Sequence, residues 1–172
     1  NGDEYAILTD SIDEGTTGTH ANDLAARKTA RDGGATAKAV SLEIGAVAKR
    51  LSASADADLR VIGAKLAGAV ASLDRAIDWL VPAYGSNTRV ALAGSVGYLR
   101  LWGTVAGGWQ MARAAEVAKR KLASGEGDPE FMRAKVTTAR FYAEALLPHS
   151  DGYAAIATGG AEAAVALAAD RF

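Results

Sequence analysis

LRVIGAKLAGAVASLDRAIDWL, residues 59–80, is the stretch that decides the fold class. Its large apolar side chains recur at intervals of three and four residues, at Leu59, Ile62, Leu66, Val70, Leu73, Ile77 and Leu80. Such a 3.6-residue period predicts an α-helix with one apolar face. We expect this helix to end near residues 82–85, because proline and glycine interrupt helices there.

The regions on either side show the same period, without the two-residue alternation of a strand. Two glycines, Gly33 and Gly34, separate a predicted helix over 19–31 from one over 35–51. Beyond residue 85 we expect helices from 88 to the low 120s, from Asp128 to a stop at Pro148, and over 161–169, with a shorter segment before the last. The sequence therefore predicts an all-α fold, an antiparallel bundle of about six helices with short loops.

Two patterns make more specific predictions about packing. The first is a set of residues spaced by three and four, which we expect to form a buried stripe: Phe131, Ala134, Thr138, Phe141 and Ala145.

The second pattern is a series of glycines in the helix from residue 88. Glycines in a helix interior are unfavourable unless a second backbone approaches closely. They favour tight packing inside the subunit, with a subunit interface as the alternative. The residues concerned are Gly94, Gly97, Gly103, Gly107 and Gly108, with Tyr98, Trp102 and Trp109 as candidate interface anchors.

Composition narrows the classes of function. The chain has 172 residues, 19 basic and 20 acidic side chains, no cysteine and about 40 alanines. This length fits one domain or two compact subdomains. Balanced charge argues against a nucleic-acid partner, and the lack of cysteine excludes disulfides and thiolate zinc sites.

The most apolar stretch, 90–112, is divided by Arg100 into runs too short to span a membrane. We expect a cytoplasmic protein without a targeting segment.

Most catalytic motifs are missing from the sequence. The two histidines, His20 and His149, each stand alone, so we expect no metal site.

One segment before the first helix contains candidate catalytic and ligand-binding residues. Glu14 lies beside Gly15, where a carboxylate can act as a base and glycine lets a flat ligand approach the backbone. The N–H groups of Thr16, Thr17 and Gly18 can face a phosphate or a flavin. The alternative is a solvated N-terminal cap.

This segment resembles the loop of the acyl-CoA dehydrogenase family that contains the catalytic glutamate. The similarity extends from Ile12 and the Glu14-Gly15-Thr16 run through Asp23-Leu24 and Arg27-Lys28 to Gly33-Gly34. It is interrupted at five positions, Asp13, Thr17, Thr19, His20 and Asn22. Two later runs, residues 98–109 and 135–148, resemble the extra C-terminal helical domain of the family's long subgroup. The order and spacing of the motifs match over nearly the whole chain from Ile7.

The resemblance implies that the chain is the C-terminal part of a longer FAD-dependent enzyme that dehydrogenates acyl-CoA thioesters at Cα and Cβ. Glu14 matches the base that removes the α-proton, Gly15 a position against the thioester, and Thr16, Thr17 and Gly18 positions that touch FAD. It also implies an electron-transfer acceptor protein and a homo-oligomer as partners. Residues 1–54 would form the tail of the catalytic helical domain and 55–172 an appended bundle, with the isolated chain inactive.

A second hypothesis makes the chain a non-catalytic helical module for oligomerisation or partner docking. The glycine- and tryptophan-bearing helix supports it, and so does the scarcity of candidate ligand residues.

Overall fold

The computed structural model describes residues 21–166, and the side chains of residues 24–166. These residues form six α-helices of ten or more residues and two of six, with no strand among them, which confirms the all-α prediction. The helices are α1 (Ala21–Arg31), α2 (Ala35–Ser52), α3 (Ala57–Ser86), α4 (Thr88–Ala93), α5 (Ser95–Ser124), α6 (Pro129–Phe141), α7 (His149–Thr158) and α8 (Ala161–Ala166). A π-helical segment, Tyr142–Leu146, follows α6.

Helices α2 and α3 form an antiparallel hairpin. Lys38 near the start of α2 pairs with Asp78 near the end of α3 at 2.9 Å, whereas Leu51 at the end of α2 lies against Gly63 near the start of α3. A Cβ atom on Gly63 would collide with the backbone of residues 48–52. Glycine is therefore required at this crossing, because it lets the two helices approach closely.

Helix α3 ends within one residue of the predicted place. We expected its end near residues 82–85, and it ends at Ser86 with Pro82 in its last turns. A proline removes one N–H donor and crowds one preceding carbonyl, and this proline is exposed, where water can satisfy a freed group. Asn87 ends α3, and its side chain accepts a hydrogen bond from the N–H of Val90 at the start of α4.

Most of the glycines in α5 and just before it serve packing inside the chain. Added Cβ atoms would meet the backbone of α7 at Gly94 and Gly97, the Tyr142 ring at Gly107 and the Leu147 side chain at Gly108. These contacts confirm the prediction of tight packing within the subunit. Gly103 differs, since nothing lies within 4 Å of its Cβ position. The predicted single helix from residue 88 is divided at Gly94 into α4 and α5.

The predicted buried stripe of α6 is wrong. Phe131 and Phe141 are 53% and 63% exposed, Ala134 and Thr138 are exposed, and Ala145 is half-buried. The buried residues of this helix and of the π-helical segment are instead Val136, Ala139 and Ala143. A period of three and four identifies a helical face but does not say which of two apolar faces meets the core.

One hydrophobic core joins these helices. It includes Ile44 of α2, Leu66 of α3, Tyr98 of α5 and Ala139 of α6, all of them at most 1% exposed. The predicted boundary between residues 54 and 55 falls in the turn between α2 and α3, and core residues lie on both sides of it. The core thus places α1, α2 and α3 in one packed unit with α5, α6 and α7.

Candidate functional site

The five residues predicted to form the site lie outside the described residues. Glu14, Gly15, Thr16, Thr17 and Gly18 precede α1, so their roles stay predictions, and so does any role of His20. The described structure shows instead how the chain that follows this segment is held.

Helix α1 is anchored to α5 by a buried hydrogen bond. The hydroxyl groups of Thr29 and Tyr98 are 2.8 Å apart, and Thr29 also donates to the carbonyl of Ala25 at 2.9 Å. Burial raises the pKa of Tyr98, which keeps the phenol protonated and able to donate. The ring of Tyr98 meets Trp102 edge to face at 6.4 Å between centroids. This cluster holds the helix that directly follows the predicted loop.

A groove of about 250 Å³ lies where α1, α2 and α5 meet. Its walls are mainly apolar, with Val40, Leu99 and Trp102 among them, and Lys28 supplies a cation. Grooves of this kind hold ligands when a few polar groups converge on an apolar wall. The positions that the resemblance assigns to FAD lie outside the described residues.

A second groove, of about 450 Å³, runs between α5 and α6. Val117, Phe131 and Met132 supply apolar surface, and Arg113, Lys121 and Lys135 line it as cations. Lys121 pairs with Glu126 at 2.8 Å. The other two cations lie over aromatic rings: Arg113 is 5.4 Å from the centre of the Trp109 ring, and Lys135 is 4.9 Å from that of Phe131.

An ion-pair cluster fastens the start of α3 to α5 and α6. Asp58 accepts hydrogen bonds from Lys119 and Arg140, both at 2.7 Å, and Asp56 pairs with Lys119 at 2.8 Å. The hydrogen bond from Lys119, followed by that from Arg140, lowers the pKa of Asp58, and the bond from Lys119 lowers that of Asp56. Both carboxylates therefore stay ionised near neutral pH, and the cluster is structural.

Neither a candidate metal site nor a membrane span is found among the described residues. Among residues 24–166, no three histidine, aspartate or glutamate side chains converge on a point where a metal could bind. His149 packs instead against Tyr153, with ring centroids 6.2 Å apart. No helix in the described part of the chain is both long and apolar enough to cross a membrane.

The groups that organise these sites are not evident from the sequence. Tyr98 is predicted only as an interface anchor, whereas it is completely buried and bonded to Thr29. The Asp58–Lys119–Arg140 cluster was not predicted either, because its members are 61 and 82 residues apart. A weak signal existed in Asp56 and Asp58, two carboxylates at the start of a predicted helix, where acids are favoured.

The comparisons with known proteins agree with the resemblance. Residues 35–168 match the family model described as acetyl-CoA dehydrogenase C-terminal like. The chain is also similar to 3-methylmercaptopropionyl-CoA dehydrogenase of Ruegeria pomeroyi, with 43% identity over 136 residues, or 79% of this chain. It spans only 23% of the length of that relative. These matches show that the chain belongs to the acyl-CoA dehydrogenase family, as a C-terminal part.

Proposed function

We propose that this chain is the C-terminal part of an FAD-dependent enzyme that oxidises an acyl-CoA thioester to its α,β-unsaturated product. The observation that carries the proposal is the 43% identity to a protein named 3-methylmercaptopropionyl-CoA dehydrogenase. The motif around Glu14 supports the same reaction. Because the chain spans 23% of that relative, the remaining parts of the active site would lie elsewhere in the full-length protein.

Glu14 is the proposed base that removes the α-proton of the thioester. FAD, when bound, would supply the acceptor for the hydride that leaves Cβ. A free carboxylate is too weak a base for this proton, so the site must raise the pKa of Glu14 by burial and polarise the thioester carbonyl. Gly15 would lie against the thioester, and Thr16, Thr17 and Gly18 would contact FAD. Helix α1, which begins three residues after Gly18, is held to α5 through Thr29 and Tyr98.

The experiment is substitution of the proposed base in the full-length enzyme. Glu14→Gln keeps the size of the side chain but cannot accept the proton, so we expect kcat to fall at least 1,000-fold with FAD still bound. Asp13→Asn is the matched control, since it neutralises the adjacent carboxylate and should change kcat less than tenfold. Stopped-flow reduction of FAD and its absorption spectrum separate chemistry from flavin binding. A loss of only a fewfold in Glu14→Gln would reject this assignment.

The proposal also includes a cytoplasmic location, a homo-oligomeric enzyme and reoxidation of the flavin by an electron-transfer acceptor protein. We further expect the 172-residue chain alone to bind no FAD and to be inactive. Titration of the chain with FAD, followed by flavin fluorescence, tests the first point. Saturable binding with a Kd below about 10 μM would contradict it.

A second function, assembly, is favoured by one structural observation. Phe131 and Phe141 project from the outer surface of α6, although large apolar side chains are usually buried. An appended helical bundle that exposes such a surface is suited to joining subunits. This role is compatible with the catalytic one, because the two involve different parts of the chain.

A further inference from the structure

Three cations of α1 line one cavity between α1 and the C-terminal end of α3. This α1–α3 cavity has a volume of about 470 Å³, and the described residues that line it are Arg27, Lys28, Ala30, Arg31 and Tyr84. Tyr84 is half-buried and packs against the hydrophobic core, so the packing of α3 fixes one wall. The cations are all exposed and come from the second half of α1.

The described part of the chain neutralises none of these three charges. Among residues 24–166 none of the three cations forms an ion pair. Asp32 follows them directly, but its carboxylate accepts hydrogen bonds from the N–H groups of Gly34 and Thr36, at 3.1 and 3.0 Å. Arg27 and Arg31 lie four residues apart on one face of α1, where like charges repel each other. An anion bound in the cavity would relieve this repulsion.

The helix dipole explains only part of this arrangement. Cations in the last turn of a helix are favourable, and Lys28 and Arg31 are the basic residues of the last turn of α1. Arg27 lies one turn earlier, and Tyr84 belongs to another helix, yet both line the same cavity. No described residue bonds the hydroxyl of Tyr84, so this phenol is available to donate to a ligand.

The set of donors is suited to a phosphate group. A guanidinium group binds phosphate in a bidentate geometry, and a lysine ammonium adds a compact positive charge. A carboxylate ligand carries one negative charge against the three cations, whereas a phosphate ester carries about two and a diphosphate carries more. The volume of about 470 Å³ lies within the usual range of small-molecule sites, about 300 to 1,000 Å³.

We propose that the α1–α3 cavity binds a phosphate-bearing small molecule, held by Arg27, Lys28 and Arg31, with Tyr84 as an additional donor. None of these residues belongs to the segment that the resemblance assigns to the thioester or to FAD. The inference therefore goes beyond the proposed function and does not depend on the assignment of Glu14. Two sources share this chemistry: a separate phosphate compound, and a phosphate group of the substrate or cofactor of the full-length enzyme.

Inorganic pyrophosphate is the probe, titrated into the 172-residue chain by calorimetry at constant ionic strength. We expect saturable binding at millimolar or lower concentrations, and none with acetate, which carries a single negative charge. The double variant Arg27→Gln/Arg31→Gln should weaken pyrophosphate binding at least tenfold. The matched control is Arg100→Gln/Arg133→Gln, which removes two exposed arginines that do not line the cavity, and it should change the Kd less than twofold.

Three results of this titration would overturn the proposal. The first is a wild-type chain that binds no pyrophosphate up to about 10 mM. The second is equal weakening by the two double variants, because binding would then follow net charge and not this cavity. The third is acetate binding as tight as that of pyrophosphate. Thermal unfolding midpoints within a few degrees of the wild type establish that each variant is folded.

Two conservative changes test the geometry of the site. Arg27→Lys/Arg31→Lys keeps both charges but removes the bidentate donors, and Tyr84→Phe removes only the phenol hydroxyl. We expect each variant to bind pyrophosphate at least threefold more weakly than the wild type. An unchanged Kd in both would overturn the assignment of these groups as phosphate donors.

The full-length enzyme identifies the source of the phosphate, with Arg27→Gln/Arg31→Gln as the variant. A KM for acyl-CoA raised at least tenfold would assign the phosphate to the substrate, and a loss of bound FAD would assign it to the cofactor. An unchanged KM and FAD content, with pyrophosphate binding lost, would assign it to a separate compound. Failure of the proposed function is detected separately, by kcat of Glu14→Gln.

Discussion

The hydroxyl group of Thr29 lies 2.8 Å from that of Tyr98, although the two residues are 69 positions apart in the chain. The pair joins the first described helix to the long α5, and Tyr98 is fully buried. Buried hydroxyl groups are costly unless they are hydrogen-bonded, so the pair also specifies how α1 sits on α5. Helix α1 in turn is the attachment of the segment proposed to carry catalysis.

Tyr98→Phe should lower the free energy of unfolding by about 1 kcal/mol. The substitution removes the phenol hydroxyl that bonds Thr29 and contacts the Trp102 side chain, without opening a large cavity. Thr29 keeps its bond to the Ala25 carbonyl. Urea unfolding followed by circular dichroism measures the change. Tyr153→Phe is the control, because no described residue bonds the hydroxyl of that half-buried tyrosine. Equal effects of the two substitutions would contradict the role given to the Thr29–Tyr98 pair.

Asp58→Asn should lower the free energy of unfolding by about 2 kcal/mol. Asparagine keeps the shape of the side chain but loses the charge that Lys119 and Arg140 neutralise, and hydrogen bonds to charged groups are the stronger ones. Glu43→Gln neutralises an exposed acid on α2 and should change the stability by less than about 0.5 kcal/mol. The urea midpoints of the two variants at pH 7 show whether the loss of stability is specific to Asp58. A midpoint unchanged in Asp58→Asn would mean that the cluster contributes nothing.

The same carboxylates predict the direction of the pH dependence. The folded-state pKa values of Asp56 and Asp58 are lowered, chiefly by the hydrogen bond from Lys119. Their contribution is therefore fully present above the unfolded-state pKa of about 3.9, and it is lost as the pH falls through the lower folded-state values. Urea midpoints between pH 5 and pH 3 should fall less steeply for Asp58→Asn than for the wild type. Parallel curves would show that Asp58 does not contribute to acid unfolding.

Two glycines of α3 should respond to alanine in opposite directions. Gly63→Ala places a methyl group against the backbone of α2, and such overpacking typically costs about 1 to 3 kcal/mol. Gly68→Ala meets nothing within 4 Å and should raise the stability by up to about 1 kcal/mol through helix propensity. Thermal unfolding of both variants provides the comparison, each serving as the other's control. A shift of the same sign in both would contradict the close approach at Gly63.

Periodicity predicted the helices well, because burial of one face determines most of them. Leu59 to Leu80 form the predicted face of α3, and all seven of its large apolar residues are buried. The same rule failed at Phe131 and Phe141, since α6 has a second apolar face. The predicted end of α3 near residues 82–85 agrees within one residue with its observed end at Ser86. Which apolar face of α6 meets the core is not encoded in local spacing.

The candidate site was predictable only as far as its motif. Glu14 and Gly15 stand out by residue type and by resemblance, but the partners of Tyr98 and Asp58 are contributed by helices distant in sequence. Such long-range pairs arise from the way the helices cross. The close crossings depend on Gly63, Gly97 and Gly108, whose neighbours are known only once the helices are packed. Local propensity does not carry this information.

The single hydrophobic core has a consequence for how the gene can be divided. A protein that started at residue 55 would lack Ile44, Ala48 and Leu51, and Gly63 and Leu66 would lose the helix that shields them from water. Such a product should aggregate or unfold cooperatively at lower temperature, as expected for an incomplete folding unit. The evolutionary unit that can be added to or removed from an enzyme would therefore begin at or before α2, whatever role the preceding loop plays in catalysis.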